Sequence, residues 1–257
     1  MSEAGLVQRT IWVLRAVAAH PEGIGLSDVA RESGIPKATC YRVLQVLERE
    51  RWLELDPASR RYRTSLGLLS VVGGLLDQSG GYAQTQMVVR ELAKRTEEAA
   101  GFDVLLPPHV MVLSQIAGPH LIGQTLKPVP RTQPVWCTSS GKALLSALDP
   151  DRIAAEHGET WGPDEEARYG GLDGFHAELD TVRRRGFAVA YDELEEGAAS
   201  VAAPVQVRGK VTYALWIGGP TYRLTHDRLD ELGGTVREAA QHLSQLLSLS
   251  DQGGPWS

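Results

Sequence analysis

Gly34 and Pro36 stand two residues apart in an otherwise helix-forming stretch and split it into two short helices joined at a tight turn. Ser27 reads as the N-cap of the first, over residues 28–33, which Gly34 stops after about two turns. Pro36 opens the second, over residues 36–51, at a position where its missing N–H costs nothing. Spaced at about 100° per residue, Cys40, Val43, Leu44 and Leu47 share one sector of that helix, and Ala38, Tyr41, Arg42, Gln45 and Arg49 lie opposite. One face is core and the other is free to read. A helix over residues 8–19 precedes the pair, with the stripe Ile11, Leu14, Val17 and Ala18, and ends in His20-Pro21-Glu22-Gly23. Trp52 to Leu55, the turn Asp56-Pro57-Ala58-Ser59 and the basic run Arg60-Arg61-Tyr62-Arg63 form a short hairpin, the wing of a winged helix-turn-helix.

The net charge of −6 on 257 residues looks wrong for a DNA binder until it is divided along the chain. Residues 1–65 hold 10 basic against 8 acidic side chains, and residues 36–63 hold 7 against 4. The remainder carries 16 against 24, so the acidic excess sits outside the region expected to meet phosphates. Mean hydropathy is −0.18 and no apolar run approaches the roughly 18 residues a membrane span needs. The first residues lack the apolar core of a secretion signal, which makes the cytoplasm the expected location. Cys40 and Cys137 are far apart without C-x-x-C spacing, which reads as two buried thiols and not a disulfide or metal site.

Past Gly81 the pattern becomes mixed. Ser65 reads as the cap of a connecting helix over 66–78, and residues 82–99 repeat with helical period. Strands are expected over 102–106, 109–116 and 121–126. Thr138-Ser139-Ser140-Gly141-Lys142 opens a helix with small polar residues, a start that invites a ligand. Asp149 and Asp173 look like further caps, the second helix ending in Arg183-Arg184-Arg185-Gly186. Strands over 187–191, 200–207 and 210–217 follow, the last two joined through Arg208-Gly209. Thr225 caps a long final helix.

Several of these pieces together resemble the IclR family of transcription regulators over residues 8–249. In the first part they are Leu26-Ser27-Asp28-Val29-Ala30, Gly34-Ile35-Pro36-Lys37-Ala38-Thr39 and Tyr41-Arg42-Val43-Leu44. In the second they are Ser140-Gly141-Lys142-Ala143-Leu144-Leu145, Val182-Arg183-Arg184-Arg185-Gly186-Phe187, Val201-Ala202-Ala203-Pro204-Val205, and Gly219-Pro220 followed by Arg223-Leu224-Thr225. The resemblance implies an α+β chain: a winged helix-turn-helix over 1–65, a linker helix over 66–80, and an effector-binding domain over 81–250 with a flexible tail over 251–257. That second domain would resemble GAF and PAS folds, a curved antiparallel sheet flanked by helices with the effector on one face. It also implies a homodimer, often paired into a tetramer, because a near-palindromic double-stranded operator needs two reading heads. A repressor is expected over an activator.

Within that frame Tyr41, Arg42 and Gln45 suit base edges, Arg for guanine O6/N7 and Gln for adenine N6/N7. Lys37 and Thr39 near the helix start, with Ala38 between them, and Arg60 and Arg61 of the wing suit the phosphate backbone. The resemblance points to Trp136, Thr138, Ser139 and Ser140, then Glu193 and Ser200, then Trp216 and Gly218, with Ile122 and Thr125 on a facing strand, as effector residues. Many members carry His where Trp136 stands, small hydroxyl residues where Trp216 and Gly218 stand, and an acidic residue where Ala190 stands. Indoles there would suit a larger, partly aromatic small organic effector over a 2-oxo acid, unless both tryptophans simply fill core.

Two other functions use the same residues. Ser139-Ser140-Gly141-Lys142 fits the S-x-x-K pattern of acyl-enzyme hydrolases, but the companion S-D-N and K-T-G motifs are absent. A DNA binder without any effector is the other. Gly141-Lys142 is followed by Ala143 and makes no Walker A motif, and the seven histidines show no metal-ligand spacing. Neither an enzyme nor a cofactor is expected.

Overall fold

Three α-helices and a small antiparallel sheet build the N-terminal unit of the computed structural model, which describes residues 5–68, 80–120 and 127–250. The helices are α1 (Leu6–Ala18), α2 (Leu26–Ser33) and α3 (Lys37–Arg49); the strands are β1 (Ile24–Gly25), β2 (Leu53–Leu55) and β3 (Arg61–Thr64), in the order β1-β3-β2. Gly34 takes the left-handed conformation at φ 66°, and Pro36 stands as the N-cap of α3. The buried face of α3 is Cys40, Val43, Leu44 and Leu47, which pack with Val13, Val17, Ile24, Val29, Ile35, Leu53 and Tyr62 in one core. Burying each Val or Leu contributes about 1.5–3 kcal/mol, so the apolar sector fixes which face of α3 stays in water.

Some local expectations change. Ser27 is not a cap: β1 pairs with β3 and delivers the chain into α2 at Leu26, with Gly25 in the N-cap position. α3 stops at Arg49, and Arg51 turns the chain at φ 62° into the wing. In the wing turn, Asp56 accepts from the Ala58 amide and the Ser59 hydroxyl, and these bonds hold its carboxyl below the usual carboxylate range.

The C-terminal unit spans Ser79–Ser257. Its helices are α4 (Gly80–Thr96), α5 (Ser139–Leu145), α6 (Pro150–His157), α7 (Pro163–Tyr169), α8 (Leu172–Arg185) and α9 (His226–Ser250). Strands β4 (Ala99–Leu106), β5 (His109–Ile116), β6 (Arg131–Pro134), β7 (Ala188–Tyr191), β8 (Ala198–Val207) and β9 (Lys210–Pro220) form one curved antiparallel sheet in the order β6-β5-β4-β9-β8-β7. Period-two alternation gives the sheet two buried faces. Phe102, Val201, Ala203, Leu215 and Ile217 meet Val89, Leu92, Leu232, Val236 and Leu243 of α4 and α9. Val110, Ala188, Ala202 and Ala214 meet Leu144, Leu145, Phe175 and Leu179 of α5 and α8. Arg208 and Gly209, both at positive φ, make the tight β8–β9 hairpin.

Here too the structure corrects the sequence reading. Helix α4 begins at Gly80, where a break was expected, and ends at Thr96 so that β4 starts at Ala99. Asp173 lies inside the first turn of α8, whose N-cap is Gly171 at φ 107°. Strand β6 and helix α7 were not anticipated, because Arg-Thr-Gln-Pro alternates no apolar residues and the acidic start of α7 shows no apolar stripe. The expected strand over 121–126, most of the linker helix over 66–80 and the tail over 251–257 fall outside the described residues.

Candidate functional site

Two sites emerge, one in each unit. On α3 the side chains of Lys37, Ala38, Tyr41, Arg42 and Gln45 are exposed, and Thr39 is half-buried. Gln45 Nε2 donates to the Tyr41 hydroxyl at 2.9 Å, an i, i+4 pair that presents the two as one polar surface. The Arg42 side chain makes no hydrogen bond or ion pair among the described residues, so all of its guanidinium donors are free for a base edge. Lys37 Nζ donates to Ser27 Oγ at 2.8 Å, which ties the start of α3 to α2. Arg60 is exposed in the wing turn at φ 56°, whereas Arg61 Nη1 of β3 donates to the carbonyl of Gly23, just before β1, at 3.1 Å. Val46, half-exposed on the same side of α3, adds an apolar contact that the sequence reading left out.

In the C-terminal unit a cavity of about 100 Å³ is lined by Gln133, Cys137, Thr138, Ser139, Ser140, Leu194, Ser200 and Trp216. Thr138 caps α5, accepting from the Gly141 amide at 3.2 Å while its own hydroxyl donates to Pro134 O. Ser139 Oγ donates to Ser200 Oγ at 2.7 Å, linking α5 to β8. Beneath this wall lies Asp103 of β4, 1% exposed. It accepts from Ser140 Oγ at 2.5 Å and from Trp216 Nε1 at 2.6 Å. Burial pushes its carboxyl up to about 7, against the lowering pull of those two bonds and of the Arg131 charge.

Lys142 is 2% exposed, and its ammonium is paired with a carboxylate. Its Nζ donates to Glu193 Oε1 at 2.6 Å, and Glu193 also accepts from the Tyr169 hydroxyl at 2.8 Å and faces Arg168 at 3.5 Å. Burial and the Glu193 charge raise Tyr169 above the usual phenol range, so it stays a donor. A Ser-Lys nucleophile pair needs the amine within reach of the hydroxyl. Here the ammonium is committed to a carboxylate and the serines to Ser200 and Asp103.

The comparisons with known proteins decide what carries these two sites. Residues 6–57 match the IclR helix-turn-helix domain, and residues 76–245 match the family described as bacterial transcriptional regulator IclR, C-terminal. This chain belongs to the IclR family. A glycerol operon regulatory protein of Streptomyces griseus is similar at 32% identity over 93% of this chain and 94% of its own length. An IclR transcriptional regulator of Alicyclobacillus acidocaldarius has a similar fold, with TM-score 0.77, 25% identity, and 95% and 99% of the two chains covered. An IclR homologue of Microbacterium hydrocarbonoxydans, solved with 4-hydroxybenzoate, has TM-score 0.76 at 21% identity over 95% of this chain and 100% of its own. Relatives in the family are transcription regulators, not enzymes.

As an IclR-family regulator the chain brings only some of the expected effector residues together. Thr138, Ser139, Ser140, Ser200 and Trp216 share the cavity wall. Trp136 does not: it is 1% exposed and packs edge-on against Trp161, Phe175 and His157, with ring centroids 4.9, 5.1 and 6.1 Å away and Nε1 donating to Thr160. Its payload is spent on core. Glu193 serves as the counter-ion of Lys142, and Gly218 faces Ser200 across β8 and β9 behind Trp216. Ile122 and Thr125 lie outside the described residues. Cys137 is half-buried on the cavity wall, not a core thiol like Cys40. Asp103, Gln133 and Leu194 were missed. For Asp103 there was a signal: a lone carboxylate inside the apolar run Phe102 to Leu106, the kind of buried polar residue that calls for an explanation.

Proposed function

We propose that this chain is an effector-responsive repressor acting in the cytoplasm, in which α3 reads a near-palindromic operator. Two copies supply the two reading heads and pair further into a tetramer, and a small uncharged polyol in the cavity sets operator affinity. The observation that carries the ligand class is the cavity wall. It offers the hydroxyls of Thr138, Ser139, Ser140 and Ser200 and the carboxamide of Gln133, with no charged side chain among the described residues that line it. The cavity volume is about 100 Å³. That is well below the ~300–1,000 Å³ of pockets for drug-sized ligands and suits a molecule of the size of glycerol. The relative at 32% identity named for a glycerol operon supports the same class. No cofactor beyond the effector is required.

The mechanism is a population shift. The ligand need only bind one arrangement of the reading heads about 1–3 kcal/mol better than another to change operator occupancy several-fold or more. Fluorescence anisotropy with DNA from upstream of the chain's own coding region and its neighbours tests this. Glycerol is expected to release the bound protein several-fold. Release by 4-hydroxybenzoate alone would replace the polyol with a small aromatic acid stacked on Trp216, and failure to hold any such DNA would sink the regulator reading.

A further inference from the structure

Asp103 lies behind the cavity wall, yet it decides what two wall residues can offer. The Trp216 indole has a single N–H, and it donates to Asp103 Oδ1; the single hydroxyl proton of Ser140 goes to Oδ2. Neither donor is left for a ligand. Ser140 Oγ therefore shows the cavity only lone pairs, and Trp216 only its ring. Thr138 has already spent its proton on Pro134 O, and Ser139 its own on Ser200. Among the described residues that line the cavity, what remains to donate is the Ser200 hydroxyl, the Gln133 amide, the weak Cys137 thiol and the main chain at the start of α5.

The charge behind the wall acts in the same sense. Among the described residues no Lys, Arg or His nitrogen lies within ion-pair distance of Asp103. Arg131 of β6, the cation acting on it through space, is bonded to Gln115 and the Lys127 carbonyl. The other elements against Asp103 add no charge there: β5 places Val112 opposite it, β9 places Ala214 opposite it and Trp216 against it, and the ammonium of Lys142 on α5 belongs to Glu193. A carboxylate ligand would find donors on Ser200, Gln133 and the main chain, but would also meet the lone pairs of Ser140 and, above about pH 7 where Asp103 is ionised, a buried like charge in surroundings where charges are poorly screened.

We propose that Asp103 is a specificity-determining positioning residue: by holding the Ser140 and Trp216 donors it makes the cavity accept ligands rich in hydroxyl donors and refuse carboxylates. The consequence deepens the polyol reading and rests on it for the favoured ligand, but the refusal of carboxylates stands on Asp103 alone.

The test is calorimetric titration of the full chain and of Asp103→Asn with glycerol and with glycerate, which keeps the size and adds a carboxylate. The wild type is expected to take glycerol at least tenfold more tightly than glycerate, and D103N to gain at least tenfold in glycerate affinity. If the wild type ignores glycerol, the polyol reading fails. The Asp103 assignment still stands if D103N gains glycerate and falls if it does not. Equal glycerate binding by both proteins overturns the assignment and leaves the polyol reading untouched. Should D103N not fold, the wild type makes the same comparison at about pH 6 and about pH 8, since protonating Asp103 removes the buried charge. Glycerate affinity should then rise severalfold at the lower pH, and a flat response would overturn the assignment.

Discussion

A β-carbon added to Gly101 would fall on the indole ring of Trp216. The two face each other across β4 and β9, and the glycine is what lets the indole lie flat on the sheet and reach Asp103. Gly101→Ala should therefore tilt Trp216 off its carboxylate partner. The overpacking should cost about 1–3 kcal/mol in urea denaturation. Effector response in the anisotropy assay should weaken while affinity for DNA without effector stays unchanged, because α3 is untouched.

Lys142→Met should destabilise the chain by about 3 kcal/mol, since it strands Glu193 with only Tyr169 and Arg168 beside it. Adding Glu193→Gln should recover more than half of that loss. A double-mutant cycle from urea melts measures this, and purely additive costs would show that the pair is not coupled.

Asp103 also predicts how stability depends on pH. Its carboxyl stands at about 7 in the folded chain against an ordinary value of 3.8. Below about pH 4 both states hold the proton, and above about pH 7 both have released it. Between those limits only the folded state binds it, so rising pH favours unfolding, and the contribution is lost progressively across that window. Denaturation free energies of the wild type minus those of D103N should fall from about pH 4 to about pH 7 and level off above. A difference that stays flat across the window would contradict the buried carboxyl.

On the DNA side, Arg42→Ala should cost about 1–3 kcal/mol of operator affinity and relax selectivity at one base position. Arg60→Ala, a backbone contact, should weaken binding to all sequences alike and lower the salt slope by about one charge. Anisotropy titrations over a series of salt concentrations and single-base operator variants separate the two. Equal losses on every sequence for Arg42→Ala would move it to the phosphates.

The reading helix was legible in the sequence because its cause is local: Gly34, Pro36 and the spacing of Cys40, Val43, Leu44 and Leu47 act within a few turns. The strands β8 and β9 were legible for the same reason, with Arg208-Gly209 marking the hairpin. The cavity was only half legible. The polar start of α5 announced Thr138, Ser139 and Ser140, but what each hydroxyl does depends on partners 37 and 61 residues away, Asp103 and Ser200. Trp136 and Trp216 look alike in sequence. They separate only once tertiary packing sends one indole among Trp161 and Phe175 and the other over Gly101. Lys142 reads as a catalytic lysine until the β7–β8 connection brings Glu193 onto it.

The hydrogen bonds from Ser140 and Trp216 to Asp103 bear on anyone who would retune this regulator as a biosensor. A library that randomises only the wall would vary the donors while leaving untouched the residue that directs them. Many of its members would strand a buried carboxyl and be lost as misfolded protein. Position 103, which an inspection of ligand contacts would pass over, is the one to vary together with 140 and 216.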